Sequence, residues 1–334
     1  MNDSSSVQRL RGAILRDVSR SFYLSIRLLP VALRDPIALA YLLARATDTI
    51  ADTAEIDAAI RLERLQELAA LIQAEPPAKI SEGLQSFARL QRDEAERGLI
   101  ERLPECLAWL QAIAEEGRRE IRAVLAPINE GQTLDVARFR DPTRIVALED
   151  AAELDRYTYL VAGCVGKFWT DVCFRKLPTF SVTARETMVE RGIAYGKGLQ
   201  LINILRDAGA DLRAGRCYLP AEELLAEGLT PDDLLVKADR AEPVLRKWCE
   251  RAAEGLNAGV EYACAIQPWR VRLATVLPAL IGARTLALLR EAGPAVFQRR
   301  VKIERAEVRA ILFRLTARLA SPGIIRALAR TLSS

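Results

Sequence analysis

The chain has 334 residues, 50% hydrophobic and 28% charged, with a formal net charge of +4 and no histidine at all. That composition describes a globular protein able to bury a large core. The missing histidine excludes Ser-His-Asp and Cys-His nucleophilic machinery, imidazole-bound zinc or haem, and any histidine proton shuttle. The six cysteines at 106, 164, 173, 217, 249 and 264 form no CxxC pair, so they predict reduced, mostly buried thiols and a cytoplasmic protein.

In chain order, the opening MNDSSSVQRLRG lacks the apolar stretch of a signal peptide. The spacing predicts helices over Ile56–Glu75, Leu107–Leu125, Thr143–Val161, Thr183–Leu205 and Glu242–Ile266, where apolar residues recur at three and four among Ala, Leu, Glu, Arg and Gln. Strand signals are nearly missing, with no sustained alternation and no Asn-Gly or Asp-Gly turn. Leu273 to Ala283 is the most apolar run, but Pro278, Gly282 and the flanking Arg272 and Arg284 mark it as a buried helix segment rather than a membrane span. No linker or repeat interrupts the chain, which predicts a single all-α domain over residues 1–334. Residues 299–334 carry nine Arg or Lys against Glu304 and Glu307, a local charge of +7 that leaves −3 for the rest. This basic segment reads as a bundle helix, with peripheral contact to anionic lipid at the inner membrane surface as the functional alternative. Elsewhere the basic residues alternate with acids and form no recognition motif, which disfavours nucleic-acid binding.

Two helical stretches carry chemistry. In Pro36–Thr53, Tyr41, Arg45, Asp48 and Asp52 share one helical face, while Ile37, Leu39, Leu42, Leu43 and Ile50 cover most of the remainder. In Tyr195–Asp211, Gln200, Asn203, Asp207 and Asp211 recur at three, four and four. Acid pairs one turn apart arise by chance about six times in a chain of this length and acidity, and most lie on solvated faces. These two pairs stand instead on otherwise apolar helices. Like charges in a half-buried place need a compensating cation, and hard carboxylate and amide oxygens suit Mg²⁺. Metals held there would bind an anionic group against Arg20, Arg45, Arg206 and Arg216, with a phosphorylated hydrocarbon as substrate and diphosphate as leaving group. Tyr157, Tyr159, Phe168 and Trp169 read by themselves as core aromatics. Gly192, Gly196 and Gly198 in one helix point to close packing or to ligand access.

Ser19-Arg20-Ser21-Phe22-Tyr23, Asp48-Thr-Ile-Ala-Asp52, Tyr157-Thr-Tyr159-Leu-Val161-Ala-Gly163-Cys-Val-Gly166 and Asn203-Ile-Leu-Arg206-Asp207-Ala-Gly-Ala-Asp211 resemble, in order and spacing, the signatures of the head-to-head prenyl synthases, the squalene and phytoene synthases. The resemblance is strongest over residues 14–220. It implies an all-α isoprenoid-synthase bundle around a central cavity, with the two aspartate-rich helices facing each other, and condensation of two prenyl diphosphates through a cyclopropylcarbinyl diphosphate. By that resemblance Asp48, Asp52, Asp207 and Asp211 bind Mg²⁺, supported by Gln200 and Asn203. Arg20 and Ser21, with Phe22 beside them, match the segment that covers the diphosphate, and Arg45 and Arg206 neutralise it. Tyr157 matches the tyrosine that assists the first half-reaction, with Tyr159 as the competing candidate.

Asp211-Leu-Arg-Ala-Gly215-Arg216-Cys-Tyr218-Leu-Pro220 looks most like squalene synthases, which implies farnesyl diphosphate as substrate and NADPH as reductant, with Arg216 near the nicotinamide phosphate. Ala210 replaces an acid of the eukaryotic pattern. The chain also departs from the eukaryotic pattern in showing no C-terminal membrane anchor, which suggests a soluble, bacterial-type enzyme. The alternatives are a synthase of presqualene diphosphate, hydroxysqualene or phytoene, and, in another class, a non-catalytic helical lipid-binding or scaffold protein, which would have no need of paired aspartates.

Overall fold

A computed structural model describes residues 3–19, 21–75, 79–316 and 321–333, and the side chains of 3, 4, 21, 22, 24 and 25 are outside that description. It is an all-α protein with one short two-stranded ladder. The described residues separate into two compact units, Met1–Arg140 with Asp171–Leu177, and Asp141–Thr170 with Pro178–Ser334.

In the first unit, the helix Val31–Asp52 buries Leu33, Leu39, Leu42, Leu43 and Ile50. It packs with Ala58–Gln73, Leu103–Ala112 and Glu115–Arg138. Asp57, Ser81 and Asp93 cap the helices that follow them by accepting from Ala59 N, Leu84 N and Ala95 N; each satisfies a backbone donor that has no partner within the helix. The helix expected over Leu107–Leu125 is two helices. Ile113 and Ala114 adopt extended ψ values of 141° and 144° between them, and Glu115 and Glu116 begin the second, where acids suit the helix dipole.

In the second unit, the helix expected from Thr143 begins only at Ala151, behind an Asp150 cap that accepts from Glu153 N. Val146–Leu148 is instead a strand, parallel to Arg216–Pro220, with Val146 opposite Arg216. A three-residue apolar run carries no period that separates strand from helix, so its partner decides. Gly215, at φ 80°, makes the turn into that partner, and its carbonyl accepts from Val146 N. The backbone there is left-handed, where a Cβ is strained.

The long helix Arg185–Arg213 runs beyond the expected Leu205 and packs on Glu242–Ala265 and Trp269–Ala292. Its glycines serve close packing: a Cβ on Gly198 would lie 2.8 Å from Gly255 Cα, and one on Gly166 would lie 1.9 Å from Gly192 O. Tyr195 donates to Thr275 O at 2.9 Å, and the Thr170 and Tyr262 hydroxyls meet at 2.8 Å. The stretch Trp269–Phe297 is long and apolar enough to cross a membrane, yet 67% of its apolar window is buried within the protein; Leu273, Val276, Leu280 and Ala283 are buried as a core helix requires. All six cysteines are free thiols and five are buried. Burial pushes Cys106, Cys164 and Cys217 up to about 12, which keeps them protonated and unreactive.

Gly166→Ala is expected to destabilise the fold by about 3 kcal/mol, because its methyl meets backbone that cannot swing aside. Gly323→Ala, with open space at its Cβ, should instead be neutral or stabilise by up to about 1 kcal/mol. Thermal unfolding of the two variants checks the contrast, and equal midpoints would refute the packing role.

Candidate active site

The apolar face of Val31–Asp52 is buried, which turns Tyr41, Arg45, Asp48 and Asp52 to the opposite side. Arg45 Nη1 donates to Asp48 Oδ2 at 2.6 Å, and Arg45 Nη2 donates to Glu96. Arg45 Nε is buried without a partner. Tyr41 donates its hydroxyl to Val18 O at 3.3 Å, and burial raises its phenol, an effect that Arg45 opposes. Asp48 and Asp52 occupy the last turns of the helix, where no basic side chain answers the partial negative charge of the terminal carbonyls. The Asp48 carboxyl is pushed up to about 7, first by desolvation and then by Asp52, against the pull of Arg45. The side chain keeps 41% of its surface, so it is crowded by protein yet open to solvent on one side.

The second pair also lies near a helix carboxyl end. Arg206 donates to Asp207 from Nε at 3.2 Å and from Nη2 at 2.5 Å, and Arg300 Nε lies 3.0 Å from Asp207 Oδ1. Asp211, its side chain 14% exposed, accepts from Arg216 Nε at 3.1 Å and Nη2 at 2.6 Å. The Gly215 turn brings Arg216 back toward Asp211. Asn203 Nδ2 donates to Gln200 Oε1 at 3.4 Å, so these amides share one side of the helix. Gly209 admits the turn Gly293–Phe297, since a Cβ there would lie 2.4 Å from Phe297 O. Arg213 fixes the same turn by donating to Phe297 O at 3.3 Å and Gln298 O at 3.1 Å. Arg300 is thereby delivered to Asp207.

Tyr157 stacks on Tyr218 of the strand Arg216–Pro220, with ring centroids 5.0 Å apart and planes at 22°. Tyr159 is half-buried and opens a π-helical turn, Tyr159–Gly163, inside the run from Ala151 to Lys176. Such turns are frequent at functional sites. Arg20 lies outside the described residues. Ser21 and Phe22 are helical in backbone, within Ser21–Leu28, and their side chains are outside the description.

The structure therefore joins Arg45 to Asp48, Arg206 to Asp207 and Arg216 to Asp211. Arginines thus partner three of the four acids. Sequence spacing missed Glu96 and Arg300. Glu96 lies 51 residues from Arg45 and carries no motif; Arg300 belongs to the basic segment, whose charge excess was the available signal. Among the described residues, no three Cys, Asp or Glu side chains gather into a metal cage. The donor set nonetheless fits Mg²⁺, which keeps several waters and takes one or two carboxylates together with substrate phosphate oxygens.

Residues 15–307 match the family described as squalene/phytoene synthase. A phytoene synthase of Arthrospira platensis is 30% identical over 79% of this chain and 79% of its own length. A presqualene diphosphate synthase of Zymomonas mobilis is 28% identical over 82% of this chain and 80% of its own. A bifunctional lycopene cyclase/phytoene synthase of Phaeosphaeria nodorum is 28% identical over 75% of this chain, which spans only 41% of that protein. Among solved structures, a TcSQS complex with a ligand superimposes with a TM-score of 0.79 at 21% identity, over 98% of this chain and 90% of the other, and shares its fold. With its motifs in order along an all-α chain, the protein belongs to the squalene/phytoene synthase family of head-to-head prenyltransferases.

Proposed function

We propose that the protein joins two molecules of farnesyl diphosphate head to head, with Mg²⁺, to give presqualene diphosphate, and that both units serve this one catalytic domain. The observation that carries the reading is the pair of Asp-x-x-x-Asp sequences near the carboxyl ends of two core helices, each with arginine beside it. Asp48, Asp52, Asp207 and Asp211 would hold the metal, and Gln200 and Asn203 would support the second pair. Bound Mg²⁺ neutralises the diphosphate and makes it a leaving group. Arg45 beside Asp48, and Arg206 and Arg300 beside Asp207, are the guanidinium groups assigned to the diphosphate. The condensation forms the cyclopropane ring from one farnesyl C1 and the double bond of the other, and releases pyrophosphate and a proton. Tyr157, its ring fixed on Tyr218, is the group assigned to assist this step, with Tyr159 at the π-turn as the competitor. Arg20, Ser21 and Phe22 are assigned to cover the diphosphate.

Termination at presqualene diphosphate is supported by the likeness to the Zymomonas mobilis protein over most of both chains. The resemblance of Asp211–Pro220 to squalene synthases supports a second reading, in which NADPH supplies hydride and squalene forms. There Arg216 would leave Asp211 to meet the nucleotide phosphate. Incubation with farnesyl diphosphate and Mg²⁺, with and without NADPH, is expected to give presqualene diphosphate in both cases. Squalene only with NADPH would establish the second reading. Turnover of geranylgeranyl diphosphate alone, to phytoene, would overturn the substrate assignment.

Asp48→Asn and Asp207→Asn should each lower kcat/KM by about 10²–10³-fold, roughly 3–4 kcal/mol of transition-state stabilisation, while circular dichroism shows an intact helical fold. Near-normal turnover in both would remove the metal assignment.

Asp48 also sets a pH dependence. Its folded-state value lies above its ordinary value of 3.8, so the folded chain binds the proton more tightly than the unfolded chain does. This group's contribution to stability therefore falls as pH rises from about 4 to about 7. Without Mg²⁺ at about pH 8, Asp48→Asn should melt above the wild type, and added Mg²⁺ should raise the wild-type midpoint more than the variant's. The reverse order of midpoints would contradict the crowding at this carboxyl.

A further inference from the structure

The helix Arg305–Thr316 buries Ile311 and Leu315 and directs its one acid, Glu307, to Arg284 at 3.0 Å. At 100° per residue the outward arc runs from Leu312, beside the buried stripe, through Arg305, Thr316 and Arg309 to Phe313, opposite it, and all five are exposed. Phe313 exposes 73% of its surface and Leu312 37%. Arg299 and Lys302, just before the helix, and Arg314 at its edge are exposed as well. Among the described residues, none of Arg299, Lys302, Arg305, Arg309 and Arg314 has an ion-pair partner, although the second unit pairs Arg284, Arg300 and Arg326 with acids.

An aromatic ring and a leucine that project into solvent within a ring of unpaired cations form the surface that suits a membrane interface: apolar groups enter the acyl boundary while arginines meet lipid phosphates. A second copy of this chain would bring the same positive face and be repelled. We propose that the outward face of Arg305–Thr316 docks the protein on a bilayer containing anionic lipid, with Phe313 and Leu312 inserted and Arg305 and Arg309 on the headgroups. The proposal is independent of the catalytic reading, because binding is read without turnover.

The test floats the full chain with vesicles of phosphatidylcholine alone and of phosphatidylcholine with phosphatidylglycerol, at low and high salt. Binding is expected only with phosphatidylglycerol and should fall as salt screens the arginines. The double variant Arg305→Glu and Arg309→Glu should lower partitioning at least ~10-fold, and Phe313→Ser should lower it too, with unchanged unfolding midpoints. If the double variant fails to fold, the wild-type dependence on lipid charge and on salt still decides the matter. Failure to float with phosphatidylglycerol at low salt would overturn the proposal, as would undiminished binding by the folded charge-reversed protein. A dimer in lipid-free solution that Phe313→Ser dissociates would also overturn it, by giving the face to a second copy.

Discussion

Two carboxylates one helical turn apart, placed near the carboxyl end of a helix whose other side is buried, are an arrangement that a fold alone has no reason to keep. Each repels the other, the terminal carbonyls add partial negative charge, and the surrounding protein removes part of the water that would relieve it. The described protein answers with guanidinium groups: Arg45 at Asp48, Arg206 and Arg300 at Asp207, and Arg216 at Asp211. At Asp48 the answer is incomplete, and the carboxyl rises to about 7. Much of the local construction serves this constraint. Gly215 turns the chain so that Arg216 returns to Asp211, and Gly209 lets the Gly293–Phe297 turn come close enough to bring Arg300 to Asp207.

Periodicity made much of this legible. Apolar residues at three and four turn the remaining positions of Val31–Asp52 to one side, so Tyr41, Arg45, Asp48 and Asp52 could be grouped before any coordinates, and the coupling of Tyr41, Arg45 and Asp48 agrees with that grouping. What periodicity does not encode is pairing between distant segments. Val146–Leu148 falls within a helical pattern because three apolar residues have no measurable period, and only its ladder with Arg216–Pro220 makes it a strand. Glu96 and Arg300 escaped for the same reason, since each acts on a residue more than fifty positions away. The helix break at Ile113 and Ala114 lies in residues whose side chains announce no turn.

The glycines divide along the same line. Their helical cost is visible in the sequence, which leaves packing and ligand access as equal alternatives, and the close approach of the Gly198 and Gly255 backbones shows packing there. At those positions the chain gives up helix propensity for a close crossing, and each later residue of Arg185–Arg213, including Asp207 and Asp211, inherits its position from that crossing. Asp207 and Asp211 thus stand on a core helix rather than on a loop, the kind of element that holds a side chain most precisely.

An arginine bonded to an aspartate is commonly read as a structural ion pair, and exposed pairs of that kind add little stability. Here the exposures differ along the set. Asp211 keeps only 14% of its side-chain surface, whereas Asp48 keeps 41% and Arg300 66%. Arg300 at Asp207 is therefore the partner that can open at the smallest cost. On the proposed reading, a cation that took such a carboxylate would free a guanidinium already held in place, so little side-chain entropy would remain to be lost on binding. Asp211–Arg216, the most buried pair, stands at the start of the strand on which Tyr218 holds Tyr157.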